Sequence, residues 1–310
     1  CEYRSGSYVG RSALTVAALA AGWAAFVLVG NSWATLIVAI VLAALFPQVV
    51  FLGHDAGHQQ ISSSRQVNRL IGLVAGNMLT GVSLGWWVPK HNAHHAHPNQ
   101  LDRDPDLGTG LIAFSITDGE DVENVLIRLR ERFRVPLFPI LLLLQGVGLH
   151  ITSVQSVLER RGRIAVLERV LLLANAAAYL TAVFWVLSPA KAFAFIGLQQ
   201  ALFGLYLGMA FAPNHKGMPV YERVAKPSFA TQQVLTARNL IGGRFTTLAF
   251  GGLNYQIEHH LFPTMPRPNL VRAQPFVRAF CKEQNLPYRE ARPFASYRQA
   301  LHQVSSDGYR

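Results

Sequence analysis

Long stretches of this chain carry no charged side chain, and they alternate with shorter stretches crowded with arginine. Residues 12–53 contain no Asp, Glu, Lys or Arg. At about 1.5 Å of rise per residue, a helix of that length covers roughly twice the ~30 Å hydrocarbon core of a bilayer. Asn31 and Ser32 fall near the middle, so the pattern predicts two membrane-spanning helices, over about 12–30 and 33–52, joined by a tight turn. Residues 170–190 and 192–215 repeat the arrangement, separated only by Lys191. They predict spans over about 170–188 and 192–212. In "SPAK", Pro189 is read as ending the third span and Lys191 as reaching back to the membrane interface.

Two more apolar stretches, 70–89 and 135–158, have the length of a span. The first carries Asn77, Gly81 and Gly85, the second Pro139, Gln145 and His150. The expectation is that neither crosses, and that both are re-entrant, interfacial or buried. The fold class that follows is an all-α integral membrane protein: four transmembrane helices in two hairpins with a cytosolic helical cap. The cap comprises residues 53–169 and 213–310, and the whole chain, 1–310, is one domain.

Composition sharpens this picture. Charged residues make up 15% of the chain, against about 25% in soluble domains. The net charge of +11 raises nucleic acid as a partner, but its distribution argues against that. With four spans, 27 of the 28 Lys and Arg lie on one side and Lys191 alone on the other. That asymmetry puts the cap in the cytoplasm and turns a basic face toward anionic head groups. Two cysteines, Cys1 and Cys281, are too few for a disulfide framework or a thiolate metal site. No signal peptide is evident, and a chain that opens on Cys1 leaves a preceding segment open.

Eight of the eleven histidines sit in four short sites. His54 and His58 lie in "HDAGH", His91, His94 and His95 in "HNAHH", His215 in "NHKGMP", and His259 and His260 in "QIEHH". Offsets of three and four residues put side chains on one helix face. Gln256, His259 and His260 repeat the offsets of His91, His94 and His95, with Gln in place of the first His. Neutral imidazole is a common metal ligand, and eight imidazoles exceed what a single tetrahedral zinc uses. Two metal ions account for the number, and iron is the natural pair where redox chemistry is needed. His150 and His302 are read as ordinary satisfied or exposed residues, with His97 intermediate. Haem ligation or a metal transporter would want histidines inside the spans, and a zinc hydrolase would want the HExxH pattern that "HDAGH" lacks.

Taken together, "HDAGH", "HNAHH" and "QIEHH", with "HPNQLDRDPDL" and "NHKGMP", resemble the histidine boxes of the membrane fatty acid desaturases. The Gln-containing third box followed by "LFP" is similar to the front-end acyl-lipid or acyl-CoA branch. The resemblance implies four transmembrane helices capped by a cytosolic domain that holds two iron ions (Fe2+/Fe3+). It implies an O2-dependent enzyme that introduces a double bond into an acyl lipid or acyl-CoA, with electrons from a ferredoxin, a b-type cytochrome or a reductase. A fatty acyl or lipid hydroxylase on the same scaffold is the alternative. His54, His58, His91, His94, His95, His215, His259 and His260 are then the metal ligands. Gln256 is a ligand, binds through a water, or only hydrogen-bonds to a ligand. Asp55, Asn214 and Glu258 are candidates to orient imidazole rings, and Trp86 and Trp87 are candidates for the substrate channel. Asp102, Asp104 and Asp106 lack the Gly and Glu of a calcium loop and are expected to pair with nearby arginines. "RLRERFR", Arg128 to Arg134, is expected to form a surface helix where an acidic electron donor docks.

Overall fold

A computed structural model describes residue 3 and residues 5–107, 125–222 and 227–306, with the side chains of 5, 125–136 and 304–306 left aside. Helix α1 (Ser5–Val29) and α2 (Thr35–Gly57) form the first hairpin. Gly30 turns the chain at φ 64°, a left-handed conformation that glycine adopts without steric cost. Ser32 then accepts hydrogen bonds from Ala34 N and Thr35 Oγ1. The two helices pack closely where Gly22 meets Leu42, since a Cβ on Gly22 would come within 2.8 Å of the leucine.

After α2 the chain runs through α3 (Arg65–Gly72), a π-helical segment (Leu73–Thr80) and α4 (Leu84–Ala96). The axis bends by 111° between Thr80 and Leu84, where Gly81 takes φ 67°. Glu168, fully buried on α6 (Arg163–Val186), holds that corner. Its carboxylate accepts from Ser83 Oγ (2.5 Å), Asn77 Nδ2 (3.3 Å), Gly85 N (3.3 Å) and Arg160 Nη2 (2.9 Å). His150 closes the other side of the corner, its two ring nitrogens against Gly81 O (3.0 Å) and Gln200 Oε1 (3.1 Å). The satisfied role expected of it agrees with these contacts.

Helix α5 (Val125–Glu159) is continuous for 35 residues, and α7 (Pro189–His215) follows α6. Among the described residues, stretches of α1, α2, α5, α6 and α7 are each long and apolar enough to cross a membrane, with the bent pair Arg65–Thr80 and Leu84–Ala96 a sixth candidate if it forms one span. Of the five, Leu137–Glu159 is the one beyond the four expected spans. Crossing of α5 and α7 is made by glycines: a Cβ on Gly204 would lie 2.4 Å from Gly146 N. Pro189 corrects one expectation. Helix α6 ends at Val186 with Leu187 as cap, and Pro189 begins α7. Its fixed φ and missing N–H suit a first helical position, where the N–H has no intrahelical partner.

The chain divides into two compact units, 1–88 with 142–208 and 89–141 with 209–310. The first contains the corner and most of the five apolar helices. The second contains α8 (Phe229–Thr236), α9 (Arg244–Ala249), α10 (Gln256–Leu261), α11 (Arg267–Glu283) and α12 (Pro293–Ser306). Two-residue strands β1 (Asn239–Leu240) and β2 (Glu290–Ala291) pair in parallel there. Val234, Ala237, Ile257, Val277 and Cys281 form its apolar centre. Buried Arg238 bonds to Pro213 O, Lys216 O and Gln299 Oε1, fixing the end of α7 on which His215 sits. Burial, with Arg289 nearby, lowers its pKa to about 10, so it stays charged at neutral pH. The side chains of Arg128 to Arg134 lie outside the described residues.

Candidate metal centre

Helical spacing puts each histidine set on one helix. His54 lies in the last turn of α2 and His58 is its cap, with ring centroids 4.7 Å apart. Asp55 Oδ1 lies 3.2 Å from His54 Nδ1. Trp87 packs on this pair, 5.3 Å from the His54 ring, and a Cβ on Gly57 would come within 2.6 Å of its indole. Trp86 sits beside it in the first turn of α4, its N–H donating to Ser83 Oγ.

In the second unit, α4 carries His91, His94 and His95, α7 ends on His215, and α10 carries Gln256, His259 and His260. Asn239 Oδ1 accepts from Ile257 N at 2.9 Å, supplying a partner that the start of a short helix lacks. The rings crowd together. His94 lies 4.7 Å from His215 and 5.1 Å from His260; His95 lies 4.2 Å from His260 and 4.8 Å from His259; His91 lies 4.6 Å from His95.

Hydrogen bonds on the outer side of the pocket set the tautomers. His215 Nδ1 is 2.9 Å from Thr236 O, a carbonyl that can only accept, so Nδ1 carries the hydrogen. His260 Nδ1 is 2.9 Å from Gln233 Oε1, and Gln233 is oriented by donating through Nε2 to His95 O at 3.1 Å. His94 Nδ1 is 2.9 Å from Asp104 Oδ1, which lies in a loop held by Asn99 N on the other carboxylate oxygen. Each of the three rings therefore turns its Nε2 inward. One nitrogen from each lies within 4.8 Å of the other two, and His94 Nε2 is 3.4 Å from His215 Nε2. Two lone pairs repel at that distance unless a proton or a metal ion sits between them. His260 Nε2 is buried with no hydrogen-bond partner among the described residues. An inward cluster of imidazole nitrogens, with the Gln256 amide beside His215 Nε2 at 2.9 Å, is suited to a metal ion.

Charge agrees with the geometry. Burial disfavours a charged His94 ring, but Asp104 and Asp106 outweigh burial and raise its pKa. Burial pushes Asp104 up, yet His94 prevails and leaves it below the ordinary carboxylate value. His260 is driven well below the usual imidazole value by burial and by the surrounding histidines, and is neutral.

Three orienting contacts were not legible in the sequence: Asp104, Gln233 and Thr236. Only Asp104 carries a signal, as part of the acidic loop after the second histidine set. For Asp104 and Asp106 the expected pairing with arginines is corrected, because Asp104 faces His94 and Asp106 faces Lys90. The loop follows α4 directly, which brings it within reach of His94 and Lys90 on that helix. Of the proposed orienting residues, Asp55 contacts a histidine ring and Asn214 contacts Gln256. Glu258 instead turns away, accepting from Asn239 Nδ2 (2.7 Å) and Tyr288 OH (2.6 Å).

Comparison with known proteins points the same way. A family model described as fatty acid desaturase matches residues 31–292. An acyl-lipid (9-3)-desaturase of Physcomitrium patens is 34% identical over 83% of this chain and 50% of its own length. A Delta(6)-fatty-acid desaturase of Caenorhabditis elegans is 32% identical over 86% of this chain and 63% of its own. A Delta(8)-fatty-acid desaturase of Arabidopsis thaliana is 33% identical over 83% and 60%. The chain thus spans about half to three fifths of the length of these relatives.

Proposed function

Since the chain belongs to the fatty acid desaturase family, we propose that it is an O2-dependent desaturase acting on the acyl chain of a lipid or acyl-CoA. The observation that carries this reading is the inward convergence of Nε2 of His94, His215 and His260, each ring locked by an acceptor on its far side. These three hold one iron ion. His54, His58, His91, His95 and His259 complete the ligand set of a two-iron centre, a role that rests on family membership and on their spacing along the chain. Bound iron supplies the oxidant that an unactivated C–H bond requires, which acid–base chemistry on side chains cannot provide.

The residues themselves hold and orient. Asp104, Thr236 O and Gln233 Oε1 keep the Nδ1 hydrogens outward, so the Nε2 lone pairs stay available. Trp87, packed on His54 and His58, is suited to guide an acyl chain past the first histidine pair. Electrons come from an external donor such as a ferredoxin, a b-type cytochrome or a reductase.

Topology follows from the shared pocket. His94 and His215 are in contact, so the chain between them crosses the membrane an even number of times. Of α5, α6 and α7, two cross, and the α6–α7 hairpin with its lone Lys191 at the turn is the better pair. With α1 and α2 this makes four spans, and the excess of Lys and Arg on the histidine side supports a cytoplasmic active site. Expression in a host with a defined lipid composition tests the function: new unsaturated acyl chains and about two irons per purified chain are expected. Stoichiometric zinc with an unchanged acyl profile would sink it.

A further inference from the structure

Gln256 stands where the parallel histidine set has His91, and its side chain makes two contacts that fix its orientation. Asn214 Nδ2 donates to Gln256 at 3.2 Å, and the same Nδ2 lies against Ala210 O (3.2 Å) and Leu253 O (3.3 Å). Two of those three neighbours are backbone carbonyls, which only accept. The Asn214 amide cannot be turned without setting its oxygen against both carbonyls. Its nitrogen therefore faces Gln256, and the Gln256 atom that meets it must be the acceptor, Oε1. The opposite end of the amide, Nε2, then lies 2.9 Å from His215 Nε2. All three residues are buried.

We propose that Gln256 serves the metal pocket as a hydrogen-bond donor, its oxygen turned away and held by Asn214, and is not a metal ligand. An N–H aimed at the rim of a cation pocket is repelled by the cation and matched by an acceptor. Here that acceptor is the His215 Nε2 lone pair. Were His215 to hold an ion through that nitrogen, the Gln256 N–H would be left beside the ion, suited to an acceptor atom entering the pocket. The position thus presents a donor beside the imidazoles and leaves holding an ion to them. To coordinate through Oε1, the amide would have to turn over and put its own NH2 against that of Asn214.

This rests on the metal-centre reading, and the test separates the two. Wild type, Gln256→Leu and His215→Ala are purified in nanodiscs, stripped, and loaded anaerobically with ferrous iron. Iron per chain is counted, and affinity is measured by chelator competition. Gln256→Leu is expected to keep the wild-type stoichiometry with less than a tenfold loss of affinity, whereas His215→Ala loses an ion. A loss of tenfold or more, or of one ion per chain, in Gln256→Leu overturns the inference while leaving the metal centre standing. A wild-type protein that takes up no iron overturns both. Should the leucine variant not fold, a structure of the loaded wild type decides. Gln256 Oε1 within about 2.2 Å of an ion is coordination and defeats the proposal; Oε1 on Asn214 Nδ2 at about 3 Å supports it.

Discussion

The Glu168 cluster and the three-histidine pocket are both buried polar sites in a largely apolar chain, and they handle charge in opposite ways. Glu168 Oε2 is met by a hydroxyl, an amide, a backbone N–H and the Arg160 guanidinium, the same guanidinium reaches Oε1 at 3.4 Å, and the charge has a counter-charge. The cluster is complete without anything from outside. In the histidine pocket the outer nitrogens are equally well served, yet the inner ones face each other. Nature rarely leaves buried polar atoms in that state without a reason. A cluster that closes on itself holds an architecture together, here the 111° corner. One that leaves lone pairs converging is suited to receive an ion.

The largest effect should come from removing a histidine of the proposed ligand set. His94→Ala and His259→Ala are each expected to cut turnover by at least about 10³-fold, roughly 4 kcal/mol of barrier, with lowered iron content. His302→Ala, at an exposed position of α12, should change neither. Acyl profiles and iron counts on the same preparations check all three. Full turnover in His94→Ala would remove the ground for calling the pocket a metal site.

Breaking the self-contained cluster should instead act on stability. Glu168→Ala leaves Arg160 and Ser83 without their acceptor, and about 3 kcal/mol is expected, the low end for a broken buried pair because Arg160 keeps a third of its exposure. Reversible unfolding in mixed micelles measures it. Iron bound per folded molecule should be unchanged, which a shared role for the two clusters would not allow. Asp104→Asn sits between these cases: the shape is kept, but the acceptor that sets the His94 tautomer is weakened. Iron affinity should fall about 10- to 100-fold, or about 1.4–2.7 kcal/mol, with little change in unfolding. An affinity equal to wild type would reduce Asp104 to a loop contact.

The same contrast explains what could be read from the sequence. The hairpins were legible because uncharged runs and Asn31-Ser32 report solvent preference one residue at a time. The histidine sets were legible because offsets of three and four project onto one helix face whatever the tertiary fold. The helical placement of His91, His94 and His95 needed nothing more. Gln233 and Thr236 were invisible because their role depends on which carbonyl or amide a ring nitrogen meets across the fold, more than 20 residues away. Residues 70–89 read as one ambiguous apolar stretch because the 111° bend depends on Glu168, which lies more than 80 residues downstream. Pro189 was placed at the wrong end of its turn because proline both stops one helix and starts the next, and only the backbone distinguishes the two.

The smallest effect sharpens the contrast from the surface. Arg278 makes a two-pronged pair with Glu290 at 2.6 and 2.7 Å, and its guanidinium lies 5.5 Å from the Tyr288 ring. Tyr288 in turn donates to Glu258 beside the third histidine set. The arrangement looks as well made as the Glu168 cluster, but Arg278 is half exposed, and water and salt screen the attraction. Arg278→Ala should cost about 0.5–1 kcal/mol, and the double-mutant cycle with Glu290→Gln should lose most of its coupling at about 1 M salt, where the screening length is ~3 Å. Iron binding should not change, since Glu258 keeps Asn239 and Tyr288 as donors. A coupling that survived high salt would mean this pair is shielded like Glu168, and would erase the distinction between a charge cluster that holds a fold and one that merely decorates it.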